Sequence, residues 1–221
     1  TASRNLTIQN TRSSGNIAAV WLASNYPSSN SPACTYNIIK NLNINGNATN
    51  TSDEIYGILA SYNNTNLNSN CKGNEYNTYQ NNYITSATHG IALFGDHTVG
   101  AQSGNNSITE NIIGPATPNA NLNIRKVGII VTAHNILNVT KNEVRNVAVF
   151  ASDPYPNSDR IGICIGSFLG WPTGSANNCY NVLLSNNIVH DIIEENGNSA
   201  AGIVIRSTTN PSNNVVANNV V

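Results

Sequence analysis

What most constrains this chain is a pair of short motifs that alternate strictly from residue 37 to residue 221. The first reads Asn or Ser, an apolar residue or Thr, two further residues, Asn, one residue, then an apolar residue. It occurs at residues 37–43, 77–83, 107–113, 138–144, 180–188 and 214–220, with a degenerate copy at 5–10. In the 37–43 copy Asn43 stands where the apolar residue belongs, and Ile44 takes that place one residue late. The second motif, Gly-Ile-x-apolar, begins at Gly57, Gly90, Gly128, Gly162 and Gly202.

Two short β segments per period, separated by Asn and Gly turns, cannot bury an apolar face alone. Stacking successive coils in register buries Ile above Ile and pairs each backbone with its neighbours at about 4.8 Å. A βαβ sheet would need helical periods between the strands, and none is present; a sandwich is the alternative for strands this short. The pattern therefore predicts an all-β parallel β-helix. Its anchor positions Asn41, Asn81, Asn111, Asn142, Asn186 and Asn218 are expected to stack as a structural ladder, each amide donating to one neighbouring coil and accepting from the other.

Composition agrees. Roughly one residue in five is Asn, which closes turns and tolerates left-handed backbone. The regular Val and Ile between the Asn residues argue against a disordered tract. A net charge of -1 with 10% charged residues excludes a nucleic-acid partner, which demands clustered cations. No apolar run approaches the roughly 20 residues of a membrane helix, so no membrane insertion is expected. The sequence contains no Met, and no signal peptide is visible in it, as expected if one has been removed. Residues 1–221 are read as one β-helix segment of a larger, processed protein, with flanking coils, another domain or a second protomer covering both ends.

The repeat resembles that of the right-handed parallel β-helix proteins, the pectate-lyase-like superfamily, across essentially the whole chain. The resemblance implies a right-handed β-helix of about six to seven coils with long rim loops. It leaves function open, because the superfamily includes lyases, hydrolases, epimerases, tailspikes and non-catalytic surface proteins. The superfamily's known catalytic signatures are mostly missing. Polygalacturonase-like hydrolases carry paired Asp residues and Gly-His-Gly; here no Asp-Asp occurs, and Thr88-His89-Gly90 matches only in part. Hydrolysis needs two carboxylates converging on one bond. The Asp-Pro-His-Glu element of uronate epimerases survives only as the first two residues of Asp153-Pro154-Tyr155-Pro156. Lyase-like calcium sites need several acidic ligands near a basic residue, and no such cluster is evident. No metal or other cofactor is expected.

Counting back from each motif Gly, the third residue is Glu54, Ala87, Arg125, Asp159 and Ser199, and the second includes Lys126 and Arg160. Stacking then sets Arg125 beside Asp159 and Lys126 beside Arg160, with His89 one coil away. These five, His89, Arg125, Lys126, Asp159 and Arg160, form the candidate catalytic set. A basic groove of this kind could hold an acidic sugar and abstract the proton α to its carboxylate; the alternative is a solvated ion-pair ladder on a coil edge. His134 and Asp96 share a register position six after Gly, with Phe168 in the next coil. Trp21, Tyr155 and Trp171 are placed in loops, where aromatic faces could stack on sugar rings or pack locally.

Four cysteines suit two disulfides in an oxidising compartment. Cys34 and Cys71 lie about one coil apart and are expected to pair, as are Cys164 and Cys179, which bracket a loop. The residue two after each Gly (Leu59, Ala92, Ile130, Cys164, Val204) points outward. That row is apolar, so loops, a domain or a subunit should cover it. Together these readings lead to an extracellular or cell-surface β-helix with a structural, adhesive or carbohydrate-contacting role, polysaccharide being the possible partner. A polysaccharide lyase or glycoside hydrolase on acidic polysaccharide is the alternative.

Overall fold

The computed structural model describes residues 3–24, 33–49, 53–62, 73–96, 103–149, 159–166, 178–195, 197–206 and 213–221. Its strands form three six-stranded parallel sheets, and the chain visits them in the same order in every coil, winding a right-handed β-helix of six coils. The first sheet stacks Leu6–Gln9, Leu42–Asn45, Tyr83–Thr85, Ile112–Ile113, Glu143–Ala148 and Ile188–Ile193. The second stacks Ile17–Ser24, Ile55–Tyr62, His89–Phe94, Val127–Thr132, Arg160–Ile165 and Ala200–Ile205. The third stacks Ile38–Lys40, Thr78–Gln80, Ser103–Thr109, His134–Thr140, Tyr180–Ser185 and Val215–Ala217. Each coil thus carries three β segments where the sequence suggested two. The Asn motif spans a corner, so its third-sheet and first-sheet strands read as one unit.

Stacking sorts the side chains into columns. Ile44, Ile84, Ile113, Val144 and Val189 rise through the first sheet and Ile58, Ile91, Ile129 and Ile163 through the second. Tyr79, Ile108, Val139 and Leu184 rise through the third. All belong to one interior core, each buried Ile contributing about 1.5–3 kcal/mol. The second motif begins with Gly because no side chain fits there. A Cβ on Gly128 would lie 2.3 Å from Val144 Cγ1 and 2.6 Å from the carbonyl oxygen of Gly162 in the next coil.

Single left-handed residues make the corners. Tyr36, Tyr76, Asn105, Ile136, Asn181 and Asn213 turn the chain into the core segment of the third sheet. Five positions later Asn41, Asn81, Glu110, Lys141, Asn186 and Asn218 turn it out, with φ between 51° and 60°. The buried ladder sits one residue beyond this second set, at Asn82, Asn111, Asn142, Asn187 and Asn219. The Nδ2 of each donates to the Oδ1 of the next at 2.9–3.0 Å. The backbone N–H of each donates to the same oxygen. The expected ladder is therefore corrected. Asn111 and Asn142 belong to it, whereas Asn41, Asn81, Asn186 and Asn218 are the left-handed corner residues, among which Asn81 donates to Asn41 Oδ1 in the neighbouring coil. The 37–43 copy is regular after all: Leu42 occupies the ladder position, its N–H donating to Asn82 Oδ1 at 3.2 Å. Ile44 falls in the interior column.

A second ladder starts from the other corner. Asn37 donates to Asn77 Oδ1 through both its N–H and its Nδ2, and the Asn77 N–H donates to Asn106 Oδ1. Leu137 and Val182 then interrupt the column before Asn214 resumes it, accepting from the Val182 N–H at 3.0 Å.

Candidate functional site

The approach to the second sheet is tied coil to coil. Thr88 donates its hydroxyl to the Asp53 carbonyl at 2.7 Å and accepts from the Ile55 N–H, while the Lys126 N–H donates to the Thr88 carbonyl. This places Glu54, His89 and Lys126 at the entrance of three successive strands. The Glu54 carboxylate bridges the other two, with Oε2 2.6 Å from His89 Nε2 and Oε1 2.7 Å from Lys126 Nζ. Tyr56 stacks on the His89 ring, centroids 5.2 Å apart.

Burial works against the Glu54 charge, but His89 and Lys126 outweigh it and bring the carboxyl down to about 2. An ionised carboxylate only accepts, so Nε2 is the nitrogen that carries the proton His89 donates. The Tyr56 hydroxyl is pushed well above its ordinary range by burial and by the Glu54 charge. A general base works best with a pKa near the working pH. A carboxylate held at about 2 is a poor one, and the His89 side chain is wholly buried.

The candidate catalytic set thus comes together only in part. His89 and Lys126 meet, through a glutamate that sequence reasoning had noted only as a register neighbour. Arg125 and Asp159 keep the expected register, two residues ahead of the paired Val127 and Ile161, but the Arg125 guanidinium donates to the carbonyls of Ala48 and Ala120 at 3.2 and 2.9 Å. Asp159 accepts from the Ser199 N–H at 3.0 Å. Arg160 stands beside Lys126 in register, the Ile161 N–H donating to the Lys126 carbonyl at 2.9 Å, but the Arg160 side chain turns elsewhere. It is fully buried and forms a 3.2 Å ion pair with buried Glu194, which follows the first-sheet strand of the next coil. Among the described residues no group of three His, Cys, Asp or Glu is placed to hold a metal.

Other expectations also shift. Trp21 lies in a second-sheet strand, not a loop, and donates through Nε1 to Ser61 Oγ at 3.0 Å. Tyr155 and Trp171 fall outside the described residues, as does Phe168. His134 and Asp96 are buried and line no ledge; His134 Nδ1 lies 2.8 Å from the Thr132 carbonyl oxygen. Leu59, Ala92, Ile130 and Cys164 of the outward row are buried within the chain itself, in a second apolar cluster with Tyr56 and Phe94.

Among the described residues no disulfide is present. Cys34, Cys164 and Cys179 are free thiols, and Cys71 lies outside the described residues. Cys164 belongs to the outer cluster and Cys179 to the interior core, so alternation across the wall sets them on different faces. Burial pushes both thiols up to about 12, which keeps them protonated and inert.

A feature unseen in the sequence runs along the corner between the third and first sheets. An open groove of about 610 Å³ extends from Arg4 to Ile188. It is lined by the left-handed residues Asn41, Asn81, Glu110, Lys141 and Asn186 and by the ladder residues Asn111 and Asn142. Asn81 Nδ2 donates to Asn41 Oδ1 at 2.8 Å, Arg4 donates to the Asn81 carbonyl and Oδ1, and Gln80 donates to Glu110 at 3.0 Å. The Asn doublets 81–82, 186–187 and 218–219 were the available signal, one Asn for the corner and one for the ladder. No family model matches the chain, and neither a curated protein nor a solved structure shows significant similarity to it.

Proposed function

We propose that this chain is a non-catalytic extracellular β-helix, a structural or adhesive scaffold that contacts carbohydrate, of the pectate-lyase-like kind. One observation carries the reading: the polar residues best placed for chemistry are engaged in holding the coils. Arg125 caps two carbonyls, Asp159 caps an N–H, Arg160 is paired inside the wall, and Glu54 clamps three coils together with its carboxyl far below neutral pH. The kinship is supported by three parallel sheets, one-residue left-handed corners and the Asn ladder. Extracellular placement rests on the low-charge, Asn-rich composition; with free thiols, the cysteines add nothing to it.

The second reading, a lyase or hydrolase on acidic polysaccharide, is favoured only by the meeting of Glu54, His89 and Lys126. One experiment separates the two. The protein is incubated with neutral and acidic polysaccharides, following new reducing ends, the ultraviolet absorbance of unsaturated uronates, and retardation in affinity electrophoresis. Retardation without product is expected. Turnover that disappears in Lys126→Ala would overturn the scaffold reading in favour of the enzyme.

A further inference from the structure

We propose that the outer face of the third sheet docks a second copy of this chain, face to face across a two-fold axis with the two β-helices antiparallel. The proposal is independent of the carbohydrate role. It rests on what this face leaves in water.

In each third-sheet strand the left-handed residue at the entry and the residues two and four places on point outward. They run from Tyr36, Ile38 and Lys40 at one end of the sheet to Asn213, Val215 and Ala217 at the other. Lys40 is the only charged residue among these positions; the others are apolar, hydroxyl or amide side chains. Charge returns at the rim, with Glu110 and Lys141 in the corner beyond. An uncharged centre inside a charged rim is the composition of a protein–protein interface. The outer face of the second sheet, by contrast, is already buried within the chain.

Conformation gives an independent sign. Tyr36, Tyr76 and Ile136 hold φ of 58°, 56° and 58°, a region that disfavours bulky and above all β-branched side chains. They are 73%, 43% and 46% exposed. At the same position Asn105, Asn181 and Asn213 turn the chain without that conflict, and the opposite corner is turned by Asn, Glu and Lys throughout. Apolar residues thus stand in water where the backbone favours Asn, and Ile38, Leu183 and Val215 extend the exposed apolar surface along the face. A partner that covers them removes the cost.

Shape and area select a second copy. The bulk is at one end, where the Tyr36 and Tyr76 rings stack with centroids 4.7 Å apart beside Ile38. The other end is low, with Ser185, Val215 and Ala217. Turning a copy end for end sets its low end over the high one, and the two-fold repeats that fit at the far side. Six strands about 4.8 Å apart, each presenting five residues of about 3.3 Å, offer about 500 Å² per copy. A pair buries about 1,000 Å², the lower bound for specific association, so the dimer is reversible with Kd on the order of micromolar.

Sedimentation velocity over about three decades of concentration around the micromolar range tests this. A monomer–dimer equilibrium is expected. Asn138 is exposed at the centre of the face, close to the two-fold. Asn138→Lys sets like charges against each other and is expected to weaken the dimer at least tenfold at an unchanged melting temperature. Ile38→Lys/Val215→Asp puts opposite charges together twice in the antiparallel pair and is expected to keep the dimer. A monomer at every concentration would overturn the proposal. So would growth beyond the dimer that ignores Asn138→Lys, the mark of end-to-end stacking. Dissociation of Ile38→Lys/Val215→Asp to the same degree as Asn138→Lys would overturn the antiparallel mating.

Discussion

The two corners that flank the third sheet share one backbone and differ in what fills it. At each, a left-handed residue is followed by an inward position. At the corner leading to the first sheet that position is Asn in five successive coils, from Asn82 to Asn219. At the corner leading from the second sheet it is Asn in three coils, then Leu137 and Val182, then Asn214. The turn survives both substitutions: Ile136 and Asn181, just ahead of them, keep φ of 58° and 51°. The left-handed corner is therefore held by stacking of the coils, and Asn is one of two ways to fill the space beneath it. The amide satisfies backbone groups that the bend exposes, whereas Leu137 and Val182 extend the apolar core.

The comparison breaks most readily at Asn142. Its amide receives the N–H and Nδ2 of Asn111 and donates to the Ile108 carbonyl and to Asn187 Oδ1. Asn142→Leu leaves several buried groups without partners and is expected to cost about 3–5 kcal/mol, seen as a large drop in melting temperature. A melt equal to that of a control such as Asn66→Leu would mean that apolar filling serves either corner.

Acid sharpens the same contrast, because amides do not titrate. The Glu54 carboxyl lies at about 2 against an ordinary 4.5. Its contribution, on the order of 2–3 kcal/mol, is complete above the ordinary value and is lost as pH falls towards the folded one. The melting gap between wild type and Glu54→Gln should narrow from pH 7 to pH 3, while the gap for Asn142→Leu stays constant. A ladder gap that closes in acid would show that carboxylates, not amides, hold that corner.

A smaller loss is expected at Asn106, where the ladder already meets Leu137. Among the described residues, the Asn77 N–H and the Asn74 carbonyl depend on it, so Asn106→Leu should cost about 2 kcal/mol by denaturant titration. If it matches Asn142→Leu, continuity of the ladder has no energetic meaning. Smallest of all is Leu137→Asn, which exchanges apolar burial for amide bonds and should change stability by no more than about 1.5 kcal/mol. A loss comparable to that of Asn142→Leu would mean that the core at this corner has no room for an amide.

The parallel β-helix was legible because period and polarity agree over the whole chain. Ile over Ile and the Gly before it answer to one stacking rule that needs no long-range knowledge. The ladder register was not, because an Asn doublet satisfies the left-handed corner and the amide column equally; at 110–111 and 141–142, where Glu and Lys occupy the corner, the single Asn marks the true column. The ionic contacts were harder still. Register placed Lys126 near Arg160, but a long side chain reaches past its nearest neighbour, and Lys126 finds Glu54 two coils away. The Arg160–Glu194 pair joins different sheets, a contact that column alignment does not address. Cys164 and Cys179 flank one loop yet fall on different faces of the wall, so nearness in sequence misled.

The main ladder has a consequence for how such a chain tolerates change. Its successive rungs lie 29, 31, 45 and 32 residues apart, yet every rung meets the next through the same atoms at 2.9–3.0 Å. Each turn of the winding is thus re-indexed at one tooth, whatever length of chain was paid out before it. A miscount in one coil is corrected at the next corner instead of accumulating along the stack. Segments of very different length can be spliced between rungs without shifting the phase of any coil that follows.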